Sequence, residues 1–398
     1  MWVSLPVSML ISDNVIDLKT GATSSEMRVC IVGGGGYLGC QLACRLQSLG
    51  THTVLLDISF PVHSNISLDE NLTTRIQGSV LDEKTLSNAL TSCESCFHLA
   101  GYGMSGLEAY DRQQINRINV DGTLLALECC KRIGVPRFVF ASSVCVIFTG
   151  KELISATEDY PYPDDYEYFS EYSASKARAE RAVLAADCPS LRTCSLRFRG
   201  IYGPGEPRST NRAAEIIYRG LYVATFSQRD RAMTQYSGVH NVTHAMCQAD
   251  KELSKPQPRC AGKTYHVVDA NPVNAHRFWL PLITALSRTP PCIRLPFSLI
   301  YFAAYVSEWI AVWFNIPPIL NRLEVCLTGV NNTYSIERAI QDFDYKPTKN
   351  HDLTEIAEYY RKFYNDNPDY YTLELRSAVK ILFAFIMLLL ILIRLCFF

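Results

Sequence analysis

Short apolar runs alternate along the chain with stretches whose apolar residues recur every three or four positions, the mark of strands alternating with helices. Arg28-Val29-Cys30-Ile31-Val32 is the first run, and a helical pattern follows from Cys40 to Leu49. A second run, Thr53-Val54-Leu55-Leu56, ends at Asp57. Others fall at Phe97-His98-Leu99 and at Arg137-Phe138-Val139-Phe140-Ala141, the last leading into Ser142 and Ser143. Strands that are apolar throughout, rather than alternating, suit a parallel sheet covered on both faces. The pattern therefore predicts an α/β protein with a doubly wound parallel sheet.

Two longer apolar segments break this rhythm. Residues 381–393 are apolar without interruption, and 378–398 extend the run to 21 residues broken only by Lys380 and Arg394. At ~1.5 Å per residue that stretch spans about 30 Å, the hydrocarbon thickness of a bilayer. Both cations lie near its ends, where long stems reach the headgroups. Residues 371–398 thus read as a C-terminal membrane anchor. The aromatic-rich stretch 295–314 carries Glu308 and is closed by Pro317-Pro318. It predicts a membrane-associating segment, 291–318, that enters the interface or turns back rather than crossing.

Composition narrows the function. The 398 residues are 48% hydrophobic, with 38 Lys+Arg against 39 Asp+Glu and a net charge of -1. Such a chain has no positive field for a phosphate backbone, so no nucleic-acid partner is expected. Fifteen cysteines lie scattered through apolar runs and read as reduced cytosolic thiols. Cys93 and Cys96, with His98 nearby, lack a second pair at zinc spacing, so no metal is expected. Residues 1–11 show no basic start and no continuous apolar core, unlike a signal peptide. The acceptor triplets at Asn65, Asn71, Asn241 and Asn331 should then remain unused. The expected location is a membrane, that of the endoplasmic reticulum, with the folded part facing the cytosol.

The first strand leads directly into Gly33-Gly34-Gly35-Gly36-Tyr37-Leu38-Gly39 and then a helix. Gly33, Gly36 and Gly39 hold the spacing at which missing side chains allow a tight turn, admit a pyrophosphate to backbone N–H groups and pack helix on sheet. Asp57 stands 18 residues beyond Gly39, at the end of the second strand, placed to accept hydrogen bonds from an adenosine ribose. This is a Rossmann-type dinucleotide site. An acidic residue there repels a 2′-phosphate, and Ile58 and Ser59 supply no arginine, so the expected cofactor is NAD rather than NADP.

Ser142 and Ser143 fall at the carboxyl end of a strand, where ligands gather in such sheets. Tyr172-Ser173-Ala174-Ser175-Lys176 opens a helix 29 residues after Ser143, and its Tyr and Lys are four apart on one face. This chemistry suits proton transfer from an alcohol as hydride leaves for nicotinamide. A phenol near pKa ~10 is a weak base at neutral pH, and a neighbouring ammonium favours the phenolate. Lys176 would tune Tyr172, and Ser143 would hold the substrate oxygen as charge develops on it.

From Arg28 to Phe363 the sequence resembles an extended short-chain dehydrogenase/reductase of the 3β-hydroxysteroid dehydrogenase branch, closest to its 42E family. The resemblance rests on the glycine loop, His98-Leu99-Ala100, Tyr102-Gly103-Met104-Ser105-Gly106, Asn119-Val120-Asp121-Gly122-Thr123, Ser142-Ser143, Tyr172 with Lys176, and Ile201-Tyr202-Gly203-Pro204-Gly205. It implies catalytic roles for Tyr172, Lys176, Ser143 and Asn119, the last ordering the site. It implies cofactor contacts at Gly33, Gly36, Tyr37, Leu38, Gly39, Asp57, Val80, Ala100, Lys176 and Ile201. Ser79 replaces the family's usual aspartate, Gly101 an alanine or serine, and Phe198 the proline after Arg197. The expected division is an extension (1–27), an NAD-binding domain with the catalytic residues (28–200), a smaller, mostly helical substrate-binding part (201–370) and the anchor.

The leading expectation is an NAD-dependent oxidoreductase acting on the secondary alcohol or ketone of a steroid, sterol or similar hydrophobic molecule. Membrane lipid is the second expected partner, and a homodimer stays open. The alternatives are a nucleotide-sugar epimerase or dehydratase, and a membrane-anchored NAD-binding protein of little turnover. The segment Tyr236-Ser237-Gly238-Val239-His240-Asn241 lacks the Arg-Asp step of nucleotide-sugar relatives. Together with the two apolar segments, this favours the lipophilic substrate.

Overall fold

The computed structural model describes residues 27–63, 65–318 and 320–367, so the expected anchor and all but Met27 of the expected extension lie outside the described residues. Its central sheet has seven strands: β1 (Arg28–Val32), β2 (His52–Asp57), β3 (Thr73–Gln77), β4 (Ser95–His98), β5 (Arg137–Ser143), β6 (Arg192–Phe198) and β7 (Lys263–Val267). All neighbours pair in parallel, in the spatial order β7-β6-β5-β4-β1-β2-β3. Chain order reverses at β1, which has β2 on one side and β4 on the other. Such a switch point opens a crevice at the carboxyl ends of the strands.

The helices that cover the sheet include α1 (Tyr37–Gln47), α2 (Glu83–Leu90), α3 (Gly122–Ile133), α4 (Glu171–Ala185) and α5 (Val239–Leu253). Successive side chains of a strand point to opposite faces, so each strand feeds two cores. Val29, Ile31, Leu55 and Phe97 pack with Leu42 and Leu46 of α1 and Val242 and Met246 of α5. Cys30, Val32, Val54, Phe138 and Phe140 pack on the other face with Leu86 of α2, Ala126 of α3 and Val183 of α4.

α4 buries an unusually polar face, including Tyr172, Ser175, Lys176 and Glu180. Electrostatics therefore does part of what apolar packing does elsewhere. The Glu180 side chain is 0% exposed and that of Arg197, on β6, 1% exposed, with Arg197 Nη2 2.7 Å from Glu180 Oε1. Tyr162 Oη (2.6 Å) and Ser195 Oγ (2.7 Å) also donate to that carboxylate. Burial alone would raise the Glu180 carboxyl, but the Arg197 charge and these donors hold it below its ordinary value. A charge pair this deep in the protein needs the full set of donors that the carboxylate has here to offset its desolvation, although Arg197 Nη1 is left without a partner.

The expected boundary at residue 200 does not divide the sheet. β7 pairs with β6 along its whole length, from Lys263 beside Cys194 to Val267 beside Phe198, and covers what would otherwise be an open edge. The polar residues Thr264 and His266 interrupt β7, so, like β3 and β6, it lacks the apolar run that marks β1, β2 and β5. Later residues also build a smaller part: α8 (Thr354–Asp366) packs with Tyr202, Tyr236 and Phe278, while α6 (Phe297–Phe314) and α7 (Arg322–Gly329) pack with Val144, Phe148 and Tyr334. The fully buried Asp269 fastens this part by accepting from Tyr202 Oη at 2.5 Å, Asn241 Nδ2 at 2.7 Å and His351 N at 2.9 Å.

Glu180→Gln leaves the Arg197 cation buried without a counter-charge and should destabilise the full chain by about 3–5 kcal/mol in chemical denaturation. A loss below about 1 kcal/mol, the worth of a surface pair, would contradict this reading. Because the folded carboxyl titrates below its unfolded value of about 4.3, the contribution is complete above that pH and disappears as pH falls through the folded pKa.

Candidate active site

The glycine loop closes the crevice at the end of β1. Gly33 has φ +90°, and a Cβ there would lie 2.7 Å from Ala100 N, so this position requires glycine. Gly39 packs as closely, its hypothetical Cβ 2.4 Å from Gly33 O. A Cβ on Gly36 would meet only Gly33 O, at 3.4 Å, so that residue borders open space. No side chain caps α1 and no acidic residue lies in its first turn, which leaves the N–H groups and the positive helix end facing the crevice. The Tyr37 hydroxyl is buried there without a protein partner, against Gly203. This cradle fits a dinucleotide pyrophosphate.

Of the other expected cofactor residues, Asp57, Val80, Ala100 and Ile201 lie at or just beyond the carboxyl ends of β2, β3, β4 and β6. Asp57 Oδ2 accepts from Gly35 N at 3.0 Å and Oδ1 from Ser59 N at 3.4 Å, so the carboxylate anchors the loop. Arg75, on the adjacent β3, is held by Glu70 at 2.5 and 2.9 Å. Leu38 packs on one core, and Val80, 8% exposed, belongs to the other and touches Gly122. Val32 O accepts from Ala100 N at 3.0 Å, setting Ala100 beside the loop. Ile201 is half-buried and pairs with Ser237. Ser79 caps a turn, its Oγ accepting from Leu81 N at 3.1 Å.

Across the crevice, Ser170 caps α4 by accepting from Ser173 N at 3.3 Å, and the helix then presents Tyr172 and Lys176 on its buried face. Lys176 Nζ donates to Ala141 O at the end of β5 (2.9 Å) and lies 4.7 Å from the centre of the Phe140 ring. Asn119 sits in a π-helical turn, Arg117–Asp121, just before α3. Such a turn widens the helix and re-aims its side chains. Asn119 Oδ1 accepts from Tyr102 N (2.8 Å), while Nδ2 donates to Tyr102 O (3.0 Å) and Ser175 Oγ (2.9 Å), tying the loop after β4 to α4. A Cβ on Gly101 would lie 3.4 Å from Lys176 Nζ and 3.7 Å from Asn119 Oδ1, so glycine here gives the ammonium room. Ser143 Oγ accepts from Cys145 N at 3.2 Å, and neighbouring Ser142 Oγ is buried without a partner.

Burial pushes the Tyr172 phenol up to about 12, Cys145 adds to this, and the Arg208 charge opposes it. Burial pulls the Lys176 ammonium down to about 8; Arg208 acts in the same direction and Glu180, one turn along, against it. The sequence assigned the tuning of Tyr172 to Lys176. In the structure Lys176 Nζ donates to Ala141 O, and the Arg208 charge opposes the rise that burial gives the phenol. Arg208 lies on a turn whose amides at 208, 209 and 210 donate to the buried Glu206 carboxylate at 2.9, 2.7 and 2.8 Å. Sequence reasoning missed Arg208, Glu206 and Glu180. The only available signal was that Arg208 follows closely on Gly203-Pro204-Gly205.

Comparison with known proteins agrees with this geometry. The model of the 3-beta hydroxysteroid dehydrogenase/isomerase family matches residues 30–297. Short-chain dehydrogenase/reductase family 42E member 1 of Danio rerio is 35% identical over 343 residues, covering 83% of this chain and 87% of that protein. The 3beta-hydroxysteroid dehydrogenase/Delta(5)-Delta(4) isomerase 1 of Caenorhabditis elegans is 35% identical over 367 residues, covering 84% and 78%. Among solved structures, the UDP-glucose 4-epimerase of Thermotoga maritima shares the fold, with TM-score 0.65 at 17% identity over 85% of this chain and 99% of that one. The Thermus thermophilus UDP-glucose 4-epimerase, solved with NAD, gives 0.63 at 19% over 84% and 99%. The chain therefore belongs to the 3-beta hydroxysteroid dehydrogenase/isomerase family of short-chain dehydrogenases/reductases, NAD-dependent oxidoreductases acting on CH–OH groups.

Proposed function

We propose that the protein interconverts a secondary alcohol and its ketone on a steroid, sterol or similar hydrophobic molecule at a membrane surface, with Tyr172 as the proton acceptor. The observation that carries this reading is the buried Tyr172 and Lys176 pair on α4, with Lys176 Nζ at the end of β5 and beside Gly101, which follows the Ala100 that abuts Gly33 of the glycine loop. NAD bound in that cradle supplies the hydride acceptor. Ser143 uses its hydroxyl proton toward the substrate oxygen, since its own oxygen already accepts from Cys145 N. Tyr172 Oη takes the alcohol proton, aided by the Arg208 charge. Asn119 keeps Tyr102 and Ser175 in register around the pair.

The same residues could serve a nucleotide-sugar epimerase, whose fold this chain shares. The outer face of α6 favours the lipophilic substrate. Leu299, Phe302, Tyr305, Trp309, Val312 and Trp313 are exposed at intervals of mostly three or four residues, whereas Ala304, Ser307 and Ala311 face inward. A single apolar stripe of this size on one helix marks a partner surface rather than a solvated one. Glu308 turns to the protein side, where it accepts from Arg322 N and Nε, both at 2.7 Å. After α7 the chain reaches Asn332–Tyr334, which pairs with Leu153–Ala156 on the folded side. This supports a monotopic α6 lying in the interface; a crossing at 378–398 and a folded part facing the cytosol at the endoplasmic reticulum complete the proposal from the sequence alone.

Tyr172→Phe should remove turnover by about 10²-fold or more while leaving NADH binding nearly intact, because the ring still packs. Lys176→Met should impair both. Wild-type turnover in Tyr172→Phe would refute the mechanism.

NAD preference should rest on Asp57, because Arg75 is already engaged by Glu70. Asp57→Ser combined with Ile58→Arg, at a position 68% exposed, should move kcat/KM toward NADP. Equal use of NAD and NADP by the unmodified enzyme would defeat this charge argument.

For the topology, an engineered glycosylation acceptor within residues 321–328 should stay unmodified in microsomes, and one on an extension after Phe398 should be modified. The opposite pattern at either site overturns that half of the reading.

A further inference from the structure

Between α6 and the start of the catalytic helix lies the Arg322 side chain. Arg322, at the start of α7, holds α6 through Glu308, with its backbone N and its Nε both 2.7 Å from that carboxylate. Its guanidinium lies 5.2 Å from the centre of the Tyr305 ring, on α6, and 6.0 Å from that of Phe169. Phe169 immediately precedes Ser170, the residue that caps α4. An apolar residue at that position sets the angle at which the chain enters a helix. Three residues later comes Tyr172. Phe169 is wedged further: a Cβ on Gly150 would meet its ring at 2.7 Å and Cys326 Sγ, on α7, at 3.2 Å.

We propose that Arg322 is a positioning residue that couples the seating of α6 on a phospholipid bilayer to the alignment of Tyr172 on α4. This deepens the membrane reading given above and rests on it. The planar guanidinium suits the task, because it can pair with a carboxylate in its plane and lie against two rings with its faces. A tilt of α6 moves Glu308 and Tyr305, Arg322 moves with them, and Phe169 transmits the displacement to the first turn of α4. Leu323 and Leu327 of α7 pack with Phe169 in the same apolar cluster, so the unit shifts as a body.

The test uses the full chain in phosphatidylcholine vesicles with NAD and a saturating 3β-hydroxysteroid, so that delivery of substrate affects KM and alignment affects kcat. Phe302→Asp disturbs the lipid-facing side of α6, and Arg322→Met cuts the bridge. Each should lower kcat several-fold, and the double variant should be no slower than the slower single variant, since both interrupt one path. Effects that multiply in the double variant, or singles that change KM alone, overturn the coupling. Trp309 and Trp313, 54% and 72% exposed, report seating directly. Their fluorescence should be quenched by lipids brominated along the acyl chains, less so in Phe302→Asp. Absence of quenching in the unmodified protein overturns the membrane reading itself and the coupling with it. Should Arg322→Met fail to bind NADH, Phe169→Leu takes its place, removing the aromatic partner while keeping the Glu308 pair. It should give the same non-additivity with Phe302→Asp, and additivity there refutes the proposal equally.

Discussion

Glu180 and Arg197 lie fully buried between α4 and β6, and removing two charges from water costs several kcal/mol per ion before any attraction is counted. The arrangement holds because Tyr162, Ser195 and the guanidinium satisfy the carboxylate together. Its position explains its use. Glu180 stands one turn beyond Lys176, so the pair that fixes the polar face of α4 to the sheet also fixes the height of Lys176 over Ala141 and of Tyr172 over the crevice. An apolar seam of equal strength would leave no buried anion near Lys176, whose ammonium burial already weakens.

The rest of the site follows from placing α4 there. Lys176 reaches the end of β5, Gly101 leaves space for it, and Asn119 links the loop after β4 to Ser175 on α4. On the other side of the switch point the glycine loop meets the same crevice, with Gly33 against Ala100. Two halves drawn from β1 and β5 thus converge on one cleft. The apolar face of α6 lies beyond it, connected through Arg322 and Phe169.

Local chemistry made part of this legible in the sequence. Gly33, Gly36, Gly39 and Asp57 lie within one strand, turn, helix and strand, and Tyr172 and Lys176 within one helical turn, so spacing alone brings them together. Features assembled from distant segments were not legible. The Arg208 charge, which opposes the burial that raises the Tyr172 phenol, comes from a turn held by Glu206; Arg197 finds Glu180 from another element; and β7, like β3 and β6, joins the sheet with polar residues in its run. The apolar character of α6 could be read directly, but not its orientation. That depends on Glu308 meeting Arg322, which lies beyond Pro317 and Pro318.

One comparison decides whether this crevice oxidises a hydrophobic secondary alcohol, as proposed, or epimerises a nucleotide sugar. The full chain in phospholipid vesicles is given NAD and, separately, panels of 3β-hydroxysteroids, sterols and UDP-sugars, with NADH absorbance and products followed together. The account predicts NADH accumulating with a ketone product from at least one steroid or sterol, and no change in any UDP-sugar. Conversion of a UDP-sugar to its epimer, with every steroid and sterol recovered unoxidised, would contradict it.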